Sequence, residues 1–190
     1  MSEFRRIGER VVHQGYLWHV VQADFEAPDG SSFRRDLVRS PGAVAAVPLL
    51  FDPEGNASVV MVRQYRPAFE RLVLEIPAGM RDVPGEPTEV TAARELVEEV
   101  GLRAGTLRHL TDLYPSAGMT DSILYLYVAT DLEPVGRETH GPEEDHSDVV
   151  HVPLAEAVDM VVRGEIADAK SVIGLLLVDR ELRRGDGVTA

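Results

Sequence analysis

The sequence predicts an α/β protein: an α/β/α sandwich on a mixed sheet, with a small antiparallel β unit ahead of it. Three observations lead there. β-prone runs and helical segments are mixed along the chain. Ile123–Val128 is β-prone without polar alternation, as expected of a strand covered on both faces. The 190 residues, 44% of them hydrophobic, suffice for one domain with a core and a small appended piece.

The elements follow in order. Glu9–Phe25 is rich in β-formers, and Ala27-Pro28-Asp29-Gly30 is a turn signal. Ser31–Arg39 resumes as a strand, so residues 1–41 read as a small β unit, closed by Ser40-Pro41-Gly42. Ala43–Phe51 reads as a buried strand and Ser58–Tyr65 as its hairpin partner across Asp52-Pro53-Glu54-Gly55. Arg71–Ile76 is a short strand that ends at Pro77-Ala78-Gly79. Leu107–Tyr114 and Ser122–Thr130 read as strands around Pro115-Ser116-Ala117-Gly118. Glu133–Asp148 is polar and reads as a loop, Val149–Val152 as a strand, and Leu154–Val162 and Ala169–Arg183 as helices. The main domain thus spans residues 42–184, and residues 185–190 form a loose tail.

The stretch between those strands, Gly79–Leu102, carries the chemistry. Pro87 suits the first turn of a helix and Gly101 its end. At 100° per residue, Val90, Ala93, Leu96, Val97 and Val100 fall on one side and Thr91, Arg94, Glu95, Glu98 and Glu99 on the other. Glu95, Glu98 and Glu99 are neighbours at i, i+3 and i+4. Their mutual repulsion is relieved either by solvent on an exposed helix face or by a hard cation such as Mg²⁺ or Mn²⁺, which prefers oxygen ligands.

The order of residues in this stretch resembles the Nudix box, G-x5-E-x7-R-E-U-x-E-E-x-G-U with U a bulky aliphatic residue. Glu86, Arg94, Glu95, Leu96, Glu98, Glu99, Gly101 and Leu102 match in spacing; Gly79 precedes Glu86 by six residues where the pattern has five. The resemblance implies a Nudix-type fold and Mg²⁺-dependent (or Mn²⁺-dependent) hydrolysis of a nucleoside diphosphate linked to another group. Glu95, Glu98 and Glu99 would then bind the metal with the Ala78 carbonyl, and Glu86 and Arg94 would form a structural ion pair.

Further stretches are similar to ADP-ribose pyrophosphatases: Arg63-Gln64-Tyr65-Arg66, Glu75-Ile76-Pro77-Ala78-Gly79, Tyr114–Asp121 and Ile166–Ile173. This likeness implies ADP-ribose as substrate, with Arg66 and more weakly Arg63 on its phosphates, and Ser116 and Gly118 in the substrate site. It also implies a homodimer built through the N-terminal β unit. Ala117 stands where the subfamily commonly has proline, which leaves open another nucleoside diphosphate sugar or a dinucleotide. The catalytic base is expected on the Glu133–Asp148 loop, at Glu143 with Glu144 or Asp145 as substitutes. Arg63 and Arg66 can also be read as surface arginines, and Tyr16 and Trp18 as core or dimer contacts rather than adenine stackers. His140, His146 and His151 lack paired ligand spacing and read as loop or surface residues.

Composition excludes several classes. There is no cysteine, hence no disulfide framework, thiolate zinc site or cysteine-dependent isoprenoid diphosphate isomerase. A net charge of -13 repels nucleic acid and anionic membranes. The N-terminus has no apolar segment of signal-peptide length, and the longest apolar runs, Ala43–Phe51 and Val172–Val178, are too short to span a bilayer, so a cytoplasmic protein is expected. A non-catalytic ADP-ribose-sensing domain is the remaining alternative; the intact acids speak against it.

Overall fold

The computed structural model describes residues 3–138 and 141–185, apart from the side chain of Glu143. Its Cα packing separates two compact units, Met1–Gly42 with Tyr114–Leu124, and Ala43–Leu113 with Tyr125–Ala190.

In the first unit β1 (Arg5–Gln14), β2 (His19–Glu26) and β3 (Ser32–Arg39) form an antiparallel sheet in that order. The β-rich stretch read from sequence as one run is thus two strands, parted by a turn in which the Gly15 amide donates to the Trp18 carbonyl at 2.9 Å. The predicted turn at Ala27–Gly30 is present, with the Asp29 carboxylate accepting from the amide and hydroxyl of Ser31. The segment Tyr114–Leu124 is tied to β3: the Val38 amide donates to the Met119 carbonyl at 2.8 Å, and Arg39 pairs with Asp121 at 3.1 Å. Tyr16 is 97% and Trp18 45% exposed, so neither belongs to the core of the single chain.

The second unit is a seven-stranded mixed sheet flanked by helices. Its strands are β4 (Ala43–Phe51), β5 (Ala57–Arg66), β6 (Arg71–Glu75), β7 (Ala78–Met80), β8 (Leu102–Leu113), β9 (Leu124–Pro134) and β10 (Asp148–Pro153). The main order is β10-β5-β4-β9-β8, with β6 paired to β5 and β7 to β4. The expected β4–β5 hairpin is present, Leu49 opposite Val59. The helices are α1 (Thr88–Val100), α2 (Pro142–Asp145), α3 (Leu154–Val162) and α4 (Ala169–Arg184).

Alternation along β4 settles the layering. Val44 and Ala46 cluster with Val60, Val62 and the α1 residues Ala92, Leu96 and Val100. Val47 points the other way, against Gly174 of α4, with Ile76 and Leu126 beside it. Helices therefore cover both faces, as an α/β/α sandwich requires. Burying Leu96, 0% exposed, contributes about 1.5–3 kcal/mol.

Three local expectations change. β7 begins where the sequence marks only the end of the preceding strand at Pro77-Ala78-Gly79, and its three residues pair with Ala43–Ala45. The polar loop after β9 contains the helical turn α2. And the buried side of α1 is displaced: Val90 is 48% exposed and Ala93 is exposed, whereas Thr91, Ala92, Glu95, Leu96, Glu99 and Val100 are buried. The helix ends as expected, on Gly101 at φ 67°. Among the described residues no helix is long and apolar enough to cross a membrane.

Candidate active site

The shifted face of α1 turns Glu95 and Glu99 toward a cavity of about 540 Å³. Gln64, Tyr65 and Arg66 of β5 form one wall, and Ala78, Gly79 and Met80 of β7 another. Arg94, Glu95, Glu98 and Glu99 of α1 line it, together with Asp82 and Glu144. Five carboxyl groups thus face two arginines, Arg66 and Arg94.

β7 explains how carboxylates come to be buried here. Pairing with β4 places its backbone directly against α1, where the Ala78 amide donates to Glu99 Oε2 at 2.8 Å. Gly79 leaves that space to Glu95: a Cβ there would lie 1.9 Å from Cδ of Glu95 and push its carboxyl aside. Burial pushes the Glu95 carboxyl up to about 8; Arg94 opposes this, and Glu98, Glu99 and Glu144 reinforce it. Burial likewise pushes Glu99 up to about 7, against the Ala78 amide and Arg66 and with the help of Glu144. Both carboxyls therefore bind protons more readily than ordinary glutamates, and a cation would compete with those protons.

Arg94 is the internal counter-ion. Its Nη1 donates to Glu98 at 3.0 Å and Glu95 at 3.2 Å, and its Nη2 to Asp82 at 2.9 Å and Glu86 at 3.3 Å. The Glu86–Arg94 pair is present, but so is the ordinary i, i+4 pair with Glu98, and Asp82 is a fourth partner that no sequence signal singled out. Among the described residues no three acids or histidines converge as a ready-made coordination shell. The guanidinium sits between the acids instead. The donor set still fits a hard divalent cation: the side-chain ligands are oxygens, burial raises the pKa of two of them, Glu95 and Glu99, and the glycine leaves the Glu95 carboxyl room.

The remaining residues divide. Arg66 lines the cavity and is held side-on by Glu75, Nε to Oε1 at 2.6 Å and Nη2 to Oε2 at 2.8 Å. Arg63 is exposed and does not line it; strand alternation puts Gln64, 4% exposed, on the cavity side. A period of two counted from Arg66 was the signal that would have found Gln64. Ser116 and Gly118 lie in the first unit, where the Ser116 carbonyl accepts from the amides of Met119 and Thr120. Glu144 lines the cavity, carried by α2, whose end is fastened by Arg137 to the Glu144 carbonyl at 3.2 Å and Ser147 Oγ at 2.7 Å. The side chain of Glu143 and the whole of His140 lie outside the described residues. His146 and His151 are exposed, as expected.

A family model described as NUDIX domain matches residues 40–173. An ADP-ribose pyrophosphatase of Mycobacterium tuberculosis (strain ATCC 25618 / H37Rv) is 39% identical over 176 residues, 93% of this chain and 83% of that protein. An ADP-ribose pyrophosphatase of Bacillus subtilis (strain 168) is 34% identical over 173 residues, 91% of each. A crystal structure of an ADP compounds hydrolase superposes with a TM-score of 0.81 at 29% identity, covering 99% of this chain and 98% of that one.

Proposed function

Because the chain belongs to the NUDIX family, we propose that it is a pyrophosphohydrolase that cleaves ADP-ribose with water to AMP and ribose 5-phosphate. The observation that carries the reading is the cavity in which box acids Glu95, Glu98 and Glu99 lie with Arg66. Glu95, Glu98 and Glu99 would hold Mg²⁺ or Mn²⁺ together with the Ala78 carbonyl. When bound, such a cation neutralises phosphate oxygens and lowers the pKa of coordinated water.

The chain's own groups do the rest. Arg66 presents the guanidinium edge not engaged by Glu75 to the diphosphate, where bidentate donation fixes orientation. The Ala78 amide holds the Glu99 carboxylate in place. Glu144, which lines the cavity from α2, accepts the proton of the attacking water. Glu143, its neighbour, is the other acid of this loop that we assign to proton transfer. Ser116 and Gly118 are assigned to the sugar or base.

Incubation with ADP-ribose and Mg²⁺, with AMP read by chromatography, tests the reaction. Turnover is expected, and Glu99→Gln should lower it by at least about a hundredfold. No AMP from the wild type, or undiminished turnover in Glu99→Gln, would sink the proposal. Ala117, where the subfamily commonly has proline, leaves the same chemistry on another nucleoside diphosphate sugar or dinucleotide as the alternative; a substrate panel ranked by kcat/KM separates the two.

We further propose a homodimer through the first unit. Phe4, Ile7, Val11, Val12 and Tyr16 are all 46% or more exposed there, an apolar area that a second copy would cover. A monomeric mass in sedimentation would refute it. The acidic, cysteine-free composition supports a cytoplasmic location, which cell fractionation checks.

A further inference from the structure

Arg66 borders a second cavity of about 480 Å³, lined by Phe69, Arg71, Glu75, Asp168 and Lys170 among others. Behind it lies an alternating chain of charges. Glu75, 2% exposed at the end of β6, accepts from Arg66 at both oxygens and from Lys170. Lys170, its side chain 10% exposed, also donates to Asp168 Oδ2 at 3.0 Å. That oxygen caps α4 by accepting from the Ser171 amide at 3.0 Å and the Ser171 hydroxyl at 2.6 Å. The circuit closes through the backbone, since the amide of Ile76, next to Glu75, donates to Ser171 Oγ at 2.9 Å.

We propose that Lys170 is a positioning residue that sets Arg66 for the diphosphate. This rests on the role given to Arg66 above. A carboxylate paired with one guanidinium can swivel with it; a third donor, itself anchored to the first turn of a helix, fixes the carboxylate plane and hence the fork that grips it. Charge balance acts in the same direction. Arg66 and Lys170 neutralise Glu75 and Asp168 as a quartet. Without Lys170 the quartet carries a net negative charge, Arg66 answers Glu75 alone, and its outer edge attracts an anion less. Lys170 does not line the main cavity, so it works through Glu75 and Arg66 rather than on the substrate.

The experiment is a double-mutant cycle on the Mg²⁺-loaded enzyme with ADP-ribose. Lys170→Met should lower kcat/KM by about tenfold, mostly through KM, and Lys170→Arg should recover most of the loss. In an Arg66→Ala background Lys170→Met should cost nothing further. A merely structural lysine predicts the opposite: the same factor in both backgrounds, with KM unchanged. Either of those results overturns the proposal. If Lys170→Met does not fold, Lys170→Gln, which removes the charge but keeps a polar N–H group, carries the same cycle. The Nε–H resonance of Arg66 gives a readout independent of turnover. It should be protected from exchange in the wild type and lose that protection in Lys170→Met; an unchanged resonance refutes the positioning role. If the wild type cleaves no nucleoside diphosphate sugar, the proposed function falls, and this resonance still decides about Lys170.

Discussion

Replacing Gly79 by alanine separates the demands of the site from those of the fold. The added Cβ would sit 1.9 Å from Cδ of Glu95 and 2.1 Å from each of its oxygens. Ordinary contact needs about 3.5 Å, so the Glu95 carboxyl must retreat by roughly 1.5 Å. It has somewhere to go, because it borders the cavity. Gly79 is also not among the glycines with positive φ, so alanine adds no backbone strain. The unfolded chain loses freedom instead, which favours the fold by about 0.4–1 kcal/mol. Stability should therefore change little while a proposed metal ligand moves by more than a bond length. Displacements of about 1 Å at a reacting centre cost on the order of a hundredfold, or about 2.7 kcal/mol of activation free energy. The assay pairs kcat/KM for ADP-ribose with Mn²⁺ affinity by calorimetry and with thermal melting. Expected are a hundredfold loss of activity, weaker metal binding and an unchanged melting temperature. Unaltered activity and metal affinity would refute the assignment of Glu95, and a large fall in melting temperature would refute the claim that the glycine serves the site.

Other outcomes follow from the same geometry. Glu144→Gln should lower kcat by about 10²–10³ with KM little changed, as measured by steady-state kinetics; full activity would move the base to Glu143. Arg94→Met leaves four carboxylates without their shared cation and should cost about 2 kcal/mol, or some 4–8 °C in melting temperature, part of it restored by Mg²⁺. Asp168→Ala removes the α4 cap and should cost about 1 kcal/mol at pH 7 in chemical denaturation. Burial tends to raise the Asp168 pKa, but Lys170 and the Ser171 hydrogen bonds outweigh it and hold the carboxyl below its usual range. The unfolded state therefore takes up the proton first as pH falls. The wild-type advantage is complete above an unfolded pKa of about 3.9 and disappears on passing below the folded value, so the two melting temperatures should converge in acid.

Signals that act over a few residues were legible. Turn signals placed the β4–β5 hairpin and the β2–β3 turn, Gly101 marked the end of α1, and the box spacing located Glu95, Glu98 and Glu99 on one helix. Contacts made across the sheet were not. Glu75 and Lys170 are 95 residues apart, and each alone is an unremarkable charge beside a strand or helix end. Asp82 sits in the loop ahead of α1 and meets Arg94, twelve residues on, only through its side chain. β7 has only three residues, too few for any period to register, and it exists because β4 offers it a partner.

The misplaced face of α1 carries more meaning than the correct ones. Periodicity assigns apolar residues to the interior because burying a carboxylate without a partner is costly. By that rule Glu95 and Glu99 belong outside and Val90 and Ala93 inside. The protein does the reverse: Glu99 is 4% and Glu95 8% exposed, while Val90 faces solvent. A helix rotated by the hydrophobic rule alone would bury one more valine and spare two acids their desolvation. The observed rotation is held by the Ala78 amide on Glu99, by the space Gly79 leaves for Glu95, and by Arg94. Each of these devices offsets part of the cost, yet both acids still titrate near neutrality. Stability alone does not select such an arrangement; under the proposed function a bound divalent cation would complete it. The departure from amphipathic order is thus itself the structural mark of the site.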